Sequence, residues 1–528
     1  MSKFVRPAAE GADPFGTGRL RRGVLDAWAT SPARFREDAN AEEDLALGGY
    51  RDRLVVELAQ NAADAAARAG VPGRLRLTLR GGVLVAANTG APLDTAGVES
   101  LSTLRASAKR EDHEGAVGRF GVGFSAVLAV TDEPAIVGRH GGARWSLAEA
   151  RELATDRARH SPGLDDEIRR RDGHVPLLRL PFAAEGTAPD PYDTVVILPL
   201  RDPAAQDLTE RLLDSIDDAL LLALPGLEEV VVENGDGVRT MRRRGEGTAG
   251  RIVTVEDSRN GTTYWRAVSG HGPLEPALLA DRPTEERLRP HWSVTWAVPV
   301  DADGAPVRPR TSPVVHAPTP SDEALGVPAL LIASFPLDTT RRHAAPGPLT
   351  DFLVQRAADA YAELLADWRP VGAGIIDLVP GPLGKGELDG ALRQAILERL
   401  PRTSFLPPAV EPDTEDTDLP ESLRPRDAEV VEGAGAETVR VLAEVLPSLL
   451  PAGLERRVEL RTLGVARVPL TEAIDRLAGL EKEPGWWRRL YDSLAGVDPD
   501  RLSGLPVPLA DGRTTIGPRQ ILLPTPDG

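Results

Sequence analysis

Three polar residues early in the chain stand at a helical spacing. Glu57, Asn61 and Asp64 fall at i, i+4 and i+7, so on a helix they share one stripe. Leu54 and Leu58 lie on a neighbouring stripe that can face a sheet. A carboxylate one turn from a carboxamide can activate water beside a hard cation. Because Mg²⁺ takes few protein ligands, one Asn oxygen can suffice to hold it.

Two glycine-containing elements follow this helix, which is predicted over 51–69 with a stop at Gly70. Residues 87–92 read Ala-Asn-Thr-Gly-Ala-Pro after a strand-like run, and residues 118–124 read Gly-Arg-Phe-Gly-Val-Gly-Phe. Glycines let backbone N–H groups approach phosphates without a Cβ in the way. Taken singly, the helix could be amphipathic with a solvated polar face, and the glycines a turn before a helix. Their occurrence together, in this order, favours an ATP site.

The three elements resemble the motifs of the GHKL ATPases, which include the ninety-kilodalton heat-shock chaperones, gyrase-type topoisomerases, histidine kinases and the mismatch-repair protein MutL. The N-box of that family, Glu-x-x-x-Asn followed by Asp-Ala, is matched by Glu57, Asn61 and Asp64. Residues 87–92 match the first glycine box loosely, and residues 118–124 match the second closely. The sequences of these motifs are most similar to those of the heat-shock chaperones and of the N-terminal region of sacsin.

The resemblance implies a role for each matching position. Glu57 would be the general base of ATP hydrolysis, and Asn61 would ligate Mg²⁺. Thr194, which opens a predicted strand, would help hold adenine through a water, and Lys109 would reach a phosphate from a lid over residues 93–117. The full set of implied nucleotide-binding residues is Asn61, Asp64, Asn88, Gly90, Lys109, Gly118, Arg119, Phe120, Gly121, Val122, Gly123, Phe124 and Thr194.

The first glycine box departs from the family pattern at two positions. Asn88 stands where the family has an adenine-reading Asp. An Asn oxygen can still accept from the adenine amino group, but the charge is gone and the bond is expected to be weaker. Pro92 replaces a second glycine and stiffens the loop. Nucleotide affinity and adenine specificity depend on these two changes, whereas the phosphate chemistry does not.

A second candidate catalytic residue follows much later in the chain. Residues 335–342 read Phe-Pro-Leu-Asp-Thr-Thr-Arg-Arg and precede a predicted helix over 351–368. In the heat-shock chaperones a middle-domain loop of similar form delivers an arginine to the γ-phosphate, and Arg341 is the matching position. The alternative is a surface arginine pair ahead of a helix.

Composition limits the classes of function. The chain has 528 residues, 62 basic and 80 acidic, with a net charge of −18, which argues against general nucleic-acid binding. It contains no cysteine, so disulfides, thiolate metal sites and cysteine nucleophiles are excluded. The N-terminus has no apolar stretch of signal-peptide length, and the longest apolar runs are too short to span a bilayer. We expect a cytoplasmic protein.

The predicted fold class is α+β with three regions. Residues 1–205 should form a Bergerat-type ATPase sandwich, with helices on one face of a mixed sheet. Residues 206–370 should form a middle-like α/β domain, and residues 371–528 a mainly helical C-terminal region containing an exposed, acidic, Pro-rich loop over 407–437.

Particular elements can be predicted within these regions. A hairpin is expected over 74–87, turning at Gly81-Gly82, and a helix starting at Gly123. Further helices are expected over 207–224, 438–450 and 470–496.

The leading functional prediction is a Mg²⁺-dependent, chaperone-like ATPase that couples ATP-driven closure to remodelling of a protein client, with homodimers suggested by family analogy. The alternatives are a nucleotide-gated scaffold that binds ATP with little or no turnover, and a conflict or DNA-processing module of the topoisomerase and MutL type. A histidine kinase is disfavoured because the first histidine, His113, follows the N-box. The sequence contains no P-loop and no His-Glu-x-x-His motif.

Overall fold

The chain folds into two compact units. The computed structural model describes residues 5–47, 51–102, 122–235, 237–245, 252–282, 284–287, 290–338, 342–410 and 421–524. The first unit comprises Met1–Pro299, Pro309–Ala324 and Leu330–Leu353, and the second comprises Val300–Arg308, Leu325–Ala329 and Val354–Gly528. The predicted boundaries at 205/206 and 370/371 therefore fall inside the first and second units, respectively.

The helices and strands are named in chain order. The α-helices are α1 Thr17–Thr30, α2 Pro32–Leu47, α3 Leu54–Ala69, α4 Thr95–Ser102, α5 Leu147–Ala158, α6 Pro162–Arg170, α7 Pro203–Asp214, α8 Asp218–Ala223, α9 Thr284–Arg287, α10 Pro348–Ala366, α11 Glu387–Arg399, α12 Ala436–Ala443, α13 Val458–Thr462, α14 Leu470–Asp475 and α15 Pro484–Ser493. The strands are β1 Val5–Pro7, β2 Gly73–Arg80, β3 Val83–Asn88, β4 Ala135–Val137, β5 Gly142–Arg144, β6 Phe182–Gly186, β7 Thr194–Pro199, β8 Leu227–Asn234, β9 Gly237–Arg244, β10 Ile252–Asp257, β11 Gly261–Pro273, β12 His291–Val300, β13 Val314–His316, β14 Pro320–Ala324, β15 Leu330–Ala333, β16 Glu429–Glu432, β17 Ala466–Pro469, β18 Pro506–Pro508 and β19 Thr514–Ile516.

One large mixed sheet organises the first unit. Its strand order is β1-β6-β5-β4-β7-β3-β2-β8-β9-β10-β11-β12-β15-β13-β14. Most neighbours are antiparallel, but β2 and β8 pair in parallel, with Leu75 opposite Val230. This pairing makes the sheet continuous between the predicted ATPase and middle-like regions. The α+β class predicted from the sequence is confirmed at this level.

The two faces of the N-terminal half of the sheet carry different residues. In β7, Val196 and Leu198 join a core cluster that also contains helix residues such as Trp28 and Leu58. The alternate residues of β7, Val195 and Ile197, point to the opposite face, where both belong to a smaller cluster without helix residues. This period of two is the expected alternation of a strand. Helices therefore pack on one face of this part of the sheet.

Several predicted elements are confirmed. Strands β2 and β3 form the expected hairpin with Arg80 opposite Val83, and the two turn glycines have φ of +58° and +73°. Positive φ at both turn positions is the requirement of a type I′ turn. Helix α3 ends at Gly70, whose φ of +63° closes the helix in the left-handed region.

Other predicted elements are wrong in part. The helix expected over 207–224 is two helices, α7 and α8, because Asp217 caps a new start by accepting the Ala219 N–H at 3.0 Å. The helix expected over 470–496 is likewise divided into α14 and α15, with Pro484 in the first turn of α15.

The second unit is not wholly helical. Within the predicted exposed loop 407–437, β16 is a strand that pairs in parallel with β17, and Val430 and Val431 are buried. Trp486 and Trp487 pack edge to face in this core with their ring centroids 4.9 Å apart, so both tryptophans are packing residues.

No helix among the residues that the structure describes has both the length and the apolar composition that a membrane crossing requires.

Candidate functional site

Helix α3 carries the predicted catalytic stripe. Glu57 is buried at 5 % exposure, whereas Asn61 and Asp64 are partly exposed. Leu54 and Leu58 are buried in the cluster that fills the space between α3 and the sheet. The helix therefore packs its apolar stripe on the sheet and leaves the polar stripe beside it, as the spacing predicts.

The carboxylate of Glu57 lies between a cation and a glycine. Its Oε1 is 3.1 Å from a guanidinium nitrogen of Arg53, one turn earlier in the chain. Its Oε2 faces Gly123, where an added Cβ would lie only 2.0 Å away. Any side chain at this position would displace the carboxylate. The structure thus brings Glu57 of the N-box next to Gly123, the last glycine of the second glycine box, although the two lie far apart in the sequence.

Gly123 belongs to a helix, as the sequence predicts, and this helix is a 3-10 helix over Val122–Ala129. Phe124, the next residue, is 2 % exposed, and its ring packs against that of Trp145 in the core with 5.7 Å between the ring centroids. Of the predicted nucleotide-binding set, this segment holds Val122, Gly123 and Phe124.

The other acidic residue on α3 is engaged within the helix. The Oδ1 of Asp64 accepts a hydrogen bond of 2.9 Å from the amide of Gln60, which lies four residues earlier. This pair has the i, i+4 spacing at which side chains meet on a helix, and it fixes the Asp64 carboxylate next to the partly exposed Asn61.

The first glycine box folds against α3. Gly90 has φ of +129°, and an added Cβ would lie 2.4 Å from the carbonyl carbon of Ala65. The N–H of Gly90 donates to Oδ2 of Asp193 at 2.8 Å, and the N–H of Ala91 donates to the Ala65 carbonyl at 2.8 Å. Only glycine permits both this φ and this close approach.

Asn88 and Thr194 sit directly opposite each other at the ends of β3 and β7. Side chains paired in this way lie about 4.5–5.5 Å apart at Cβ and share a face of the sheet. By strand alternation that face is the one of Val196, on which the helices pack. Thr194 is 1 % exposed, and its Oγ1 has no hydrogen-bond partner among the described residues. A buried hydroxyl of this kind fits a site for a polar ligand or an ordered water.

Sequence reasoning did not identify two residues at this site, Arg53 and Asp193. Arg53 stands four residues before Glu57, and this i, i+4 spacing was a readable signal for the ion pair. Asp193 immediately precedes Thr194, but its contact with Gly90 joins residues far apart in sequence and has no local signature. Its second oxygen accepts from Arg139 at 2.9 Å, which fixes the carboxylate in place.

A cavity of about 410 Å³ lies beside Glu57 within the first unit. Glu57 and Gly123 line one side, and Phe335, Pro336 and Leu337 line another. These last three residues begin the segment that leads to the predicted catalytic arginine. The cavity walls include Glu57 and Gly123 but not the predicted adenine-side residues, Asn88 and Thr194.

Six predicted site residues lie outside the residues that the structure describes. They are Lys109, Gly118, Arg119, Phe120, Gly121 and Arg341.

The predicted magnesium site depends on one amide oxygen, that of Asn61. Among the described residues, no group of three or more His, Cys, Asp or Glu side chains is placed to hold a metal ion. A magnesium ion bound through one protein ligand, phosphates and water does not require such a group.

Comparison with protein-family models and with curated proteins finds no match to this chain.

Proposed function

We propose that this protein binds Mg²⁺-ATP and hydrolyses it, as an ATPase of the GHKL type with a Bergerat-type nucleotide site. The observation that carries the proposal is the contact between Gly123 and the Glu57 carboxylate. In it the carboxylate of a candidate general base meets the last glycine of a candidate phosphate-binding loop, and neither motif alone implied this contact.

The adenine end of the proposed site is the sheet face beside α3. Asn88 and Thr194 face the same side there, and the unpaired, buried Oγ1 of Thr194 supports a polar ligand or bound water at this position. Asp193 accepts a hydrogen bond from the N–H of Gly90 and so fixes the turn that packs against α3. The amide oxygen of Asn88 would accept from the adenine amino group.

The phosphate end would lie along the polar stripe of α3. Asn61 is the residue that would hold Mg²⁺ by its amide oxygen, and the bound ion would offset phosphate charge. The close approach of Gly123 to α3 leaves its backbone free of a Cβ that would block a phosphate. These features fit the ATP and Mg²⁺ that the family resemblance implies.

Glu57 would act as the general base. Water attacks the γ-phosphorus, the bond to the bridging oxygen breaks, ADP leaves with that electron pair, and Glu57 takes the proton of the water. General-base assistance contributes about 10²–10⁴-fold to rate. Burial of Glu57 and its ion pair with Arg53 fix the direction of the carboxylate.

The lining of the cavity supports a catalytic role for the loop that follows Phe335. Residues 335–337 share its walls with Glu57, so the segment leading to Arg341 begins beside the proposed base. On this proposal Arg341 stabilises charge on the transferred phosphoryl group and hydrolysis is gated by closure. The energy of hydrolysis would drive remodelling of a protein client in the cytoplasm. The protein would act as a homodimer, as the family resemblance suggests, and would not bind nucleic acid.

A second candidate function is a nucleotide-gated scaffold without turnover, or a conflict or DNA-processing module that uses ATP in this way. The Arg53–Glu57 ion pair favours it, because Oε1 of Glu57 is already engaged by the guanidinium and so is less available to orient the attacking water. The two candidate functions share the nucleotide site and differ in whether the bound ATP is hydrolysed.

Steady-state ATP hydrolysis and ATP binding distinguish them in three proteins: wild type, Glu57→Gln and the control Glu210→Gln, whose carboxylate is exposed on α7. The ATPase proposal expects wild type and the control to turn over alike. It expects Glu57→Gln to bind ATP with a rate lower by about 10²–10⁴-fold. Equal rates in wild type and Glu57→Gln would remove Glu57 from the reaction, and binding without turnover in wild type would favour the scaffold.

A further inference from the structure

The cavity next to Glu57 has mainly apolar walls. Its volume of about 410 Å³ lies in the range of roughly 300–1,000 Å³ typical of small-molecule sites. Six of the buried side chains on its walls are Leu220, Leu224, Leu279, Ile332, Phe335 and Leu349. A space of this size and lining suits a ring-sized apolar group.

Of the four carboxylates on the cavity walls, three have partners and the fourth, Asp52, is exposed to solvent. Glu57 pairs with Arg53 at 3.1 Å, and Glu286 pairs with Arg282 at 2.6 Å. Asp217 accepts the backbone N–H that caps helix α8. An additional cation is therefore not required to satisfy these groups, and a neutral ligand fits the cavity better than a charged one.

His316 lines this cavity and carries an unsatisfied ring nitrogen. The residue is 1 % exposed. Its Nδ1 lies 3.1 Å from the carbonyl oxygen of Val314, which can only accept, so Nδ1 carries the proton of the neutral ring. Nε2 is then an acceptor, and it has no hydrogen-bond partner among the described residues. Burial lowers the pKa of His316, which keeps the ring neutral near pH 7.

We propose that this cavity is a binding site for a small neutral molecule with an apolar ring body and one N–H or O–H group that donates to Nε2 of His316. An acceptor buried without a partner is costly, and a ligand donor would relieve that cost. The site adjoins the proposed nucleotide site, because Glu57 and Gly123 line it, but the adenine-side residues do not. The proposal does not depend on ATP binding or hydrolysis.

Two nearly isosteric probes, indole and benzofuran, test the donor requirement. Indole has a ring N–H and benzofuran has an oxygen in its place, so their affinities differ by the hydrogen bond to Nε2. Binding is measured by ligand-observed NMR titration without nucleotide, and we expect indole to bind about tenfold or more tightly in the wild type.

Three variants locate the probe. His316→Phe keeps a ring but removes the acceptor, so it should abolish the preference for indole. His174→Phe makes the same change at a histidine that does not line the cavity, and it should leave the preference intact. Ala223→Phe, which fills the cavity from α8, should abolish binding of both probes. Thermal melting checks that each variant is folded.

Three results would overturn the proposal. Equal affinity of the two probes for wild type would mean that Nε2 is satisfied by water. A preference for indole that survives in His316→Phe would place the hydrogen bond elsewhere. Absence of binding by either probe up to its solubility limit would show that the cavity does not take this class of molecule.

Discussion

The contact between Gly123 and Glu57 yields a quantitative prediction for Gly123→Ala. The new Cβ would lie 2.0 Å from Oε2, whereas ordinary van der Waals contact begins at 3.4 Å, so the carboxylate must move by about 1.4 Å. The atom in the way is the end of a flexible side chain, so the fold should accommodate the change. A displacement of about 1 Å of a reacting group can cost about 10²-fold in rate. We therefore expect kcat for ATP to fall by about 10²-fold while ATP binding and the melting temperature change little.

The assay is steady-state ATP turnover together with thermal melting, compared with the control Gly23→Ala. Gly23 lies in helix α1 with nothing within 4 Å of an added Cβ, so its substitution should leave turnover unchanged. Wild-type kcat in Gly123→Ala would refute the placement of Glu57 against Gly123. Loss of folding in Gly123→Ala would refute the inference that the carboxylate yields.

Three further predictions concern stability, measured by thermal or urea unfolding. Gly90→Ala should destabilise the fold by about 1–3 kcal/mol or more, because the Cβ would lie 2.4 Å from the rigid backbone of Ala65, and an unchanged melting temperature would contradict this contact. Arg239 and Asp257 form a buried pair with bonds of 3.0 and 2.7 Å, so Arg239→Met should cost about 3–5 kcal/mol, and the double variant with Asp257→Leu should recover much of that loss. Burial raises the pKa of Glu42 from 4.5 to about 8. The folded state then retains a proton that the unfolded chain loses, so unfolding free energy should fall as pH rises from about 4.5 to 8, and Glu42→Gln should flatten that dependence.

Local patterns predicted the parts of the site that depend on one element. The i, i+4, i+7 spacing of Glu57, Asn61 and Asp64 gave the helical stripe, and Gly81-Gly82 gave the turn between β2 and β3. In these segments the local conformational preference and the tertiary packing agree, so the sequence alone is sufficient to predict the structure.

Contacts between distant segments could not be predicted. The parallel pairing of β2 with β8 makes one sheet of two regions expected to be separate, and periodicity within a strand does not say which strand lies beside it. Likewise, Asp193 holds Gly90 from far along the chain, and His316 is buried at the cavity through the packing of β13. Helix breaks such as that at Asp217 depend on a cap that competes with an otherwise continuous apolar pattern.

Calorimetric titration of Mg²⁺ with the non-hydrolysable ATP analogue AMPPNP, into wild type and Asn61→Ala, tests the central claim most directly. We predict binding to wild type at one nucleotide per chain, and an affinity at least about tenfold lower in Asn61→Ala, because the variant removes the proposed magnesium ligand. Absence of binding to wild type, or equal affinity in the two proteins, would contradict a nucleotide site on helix α3.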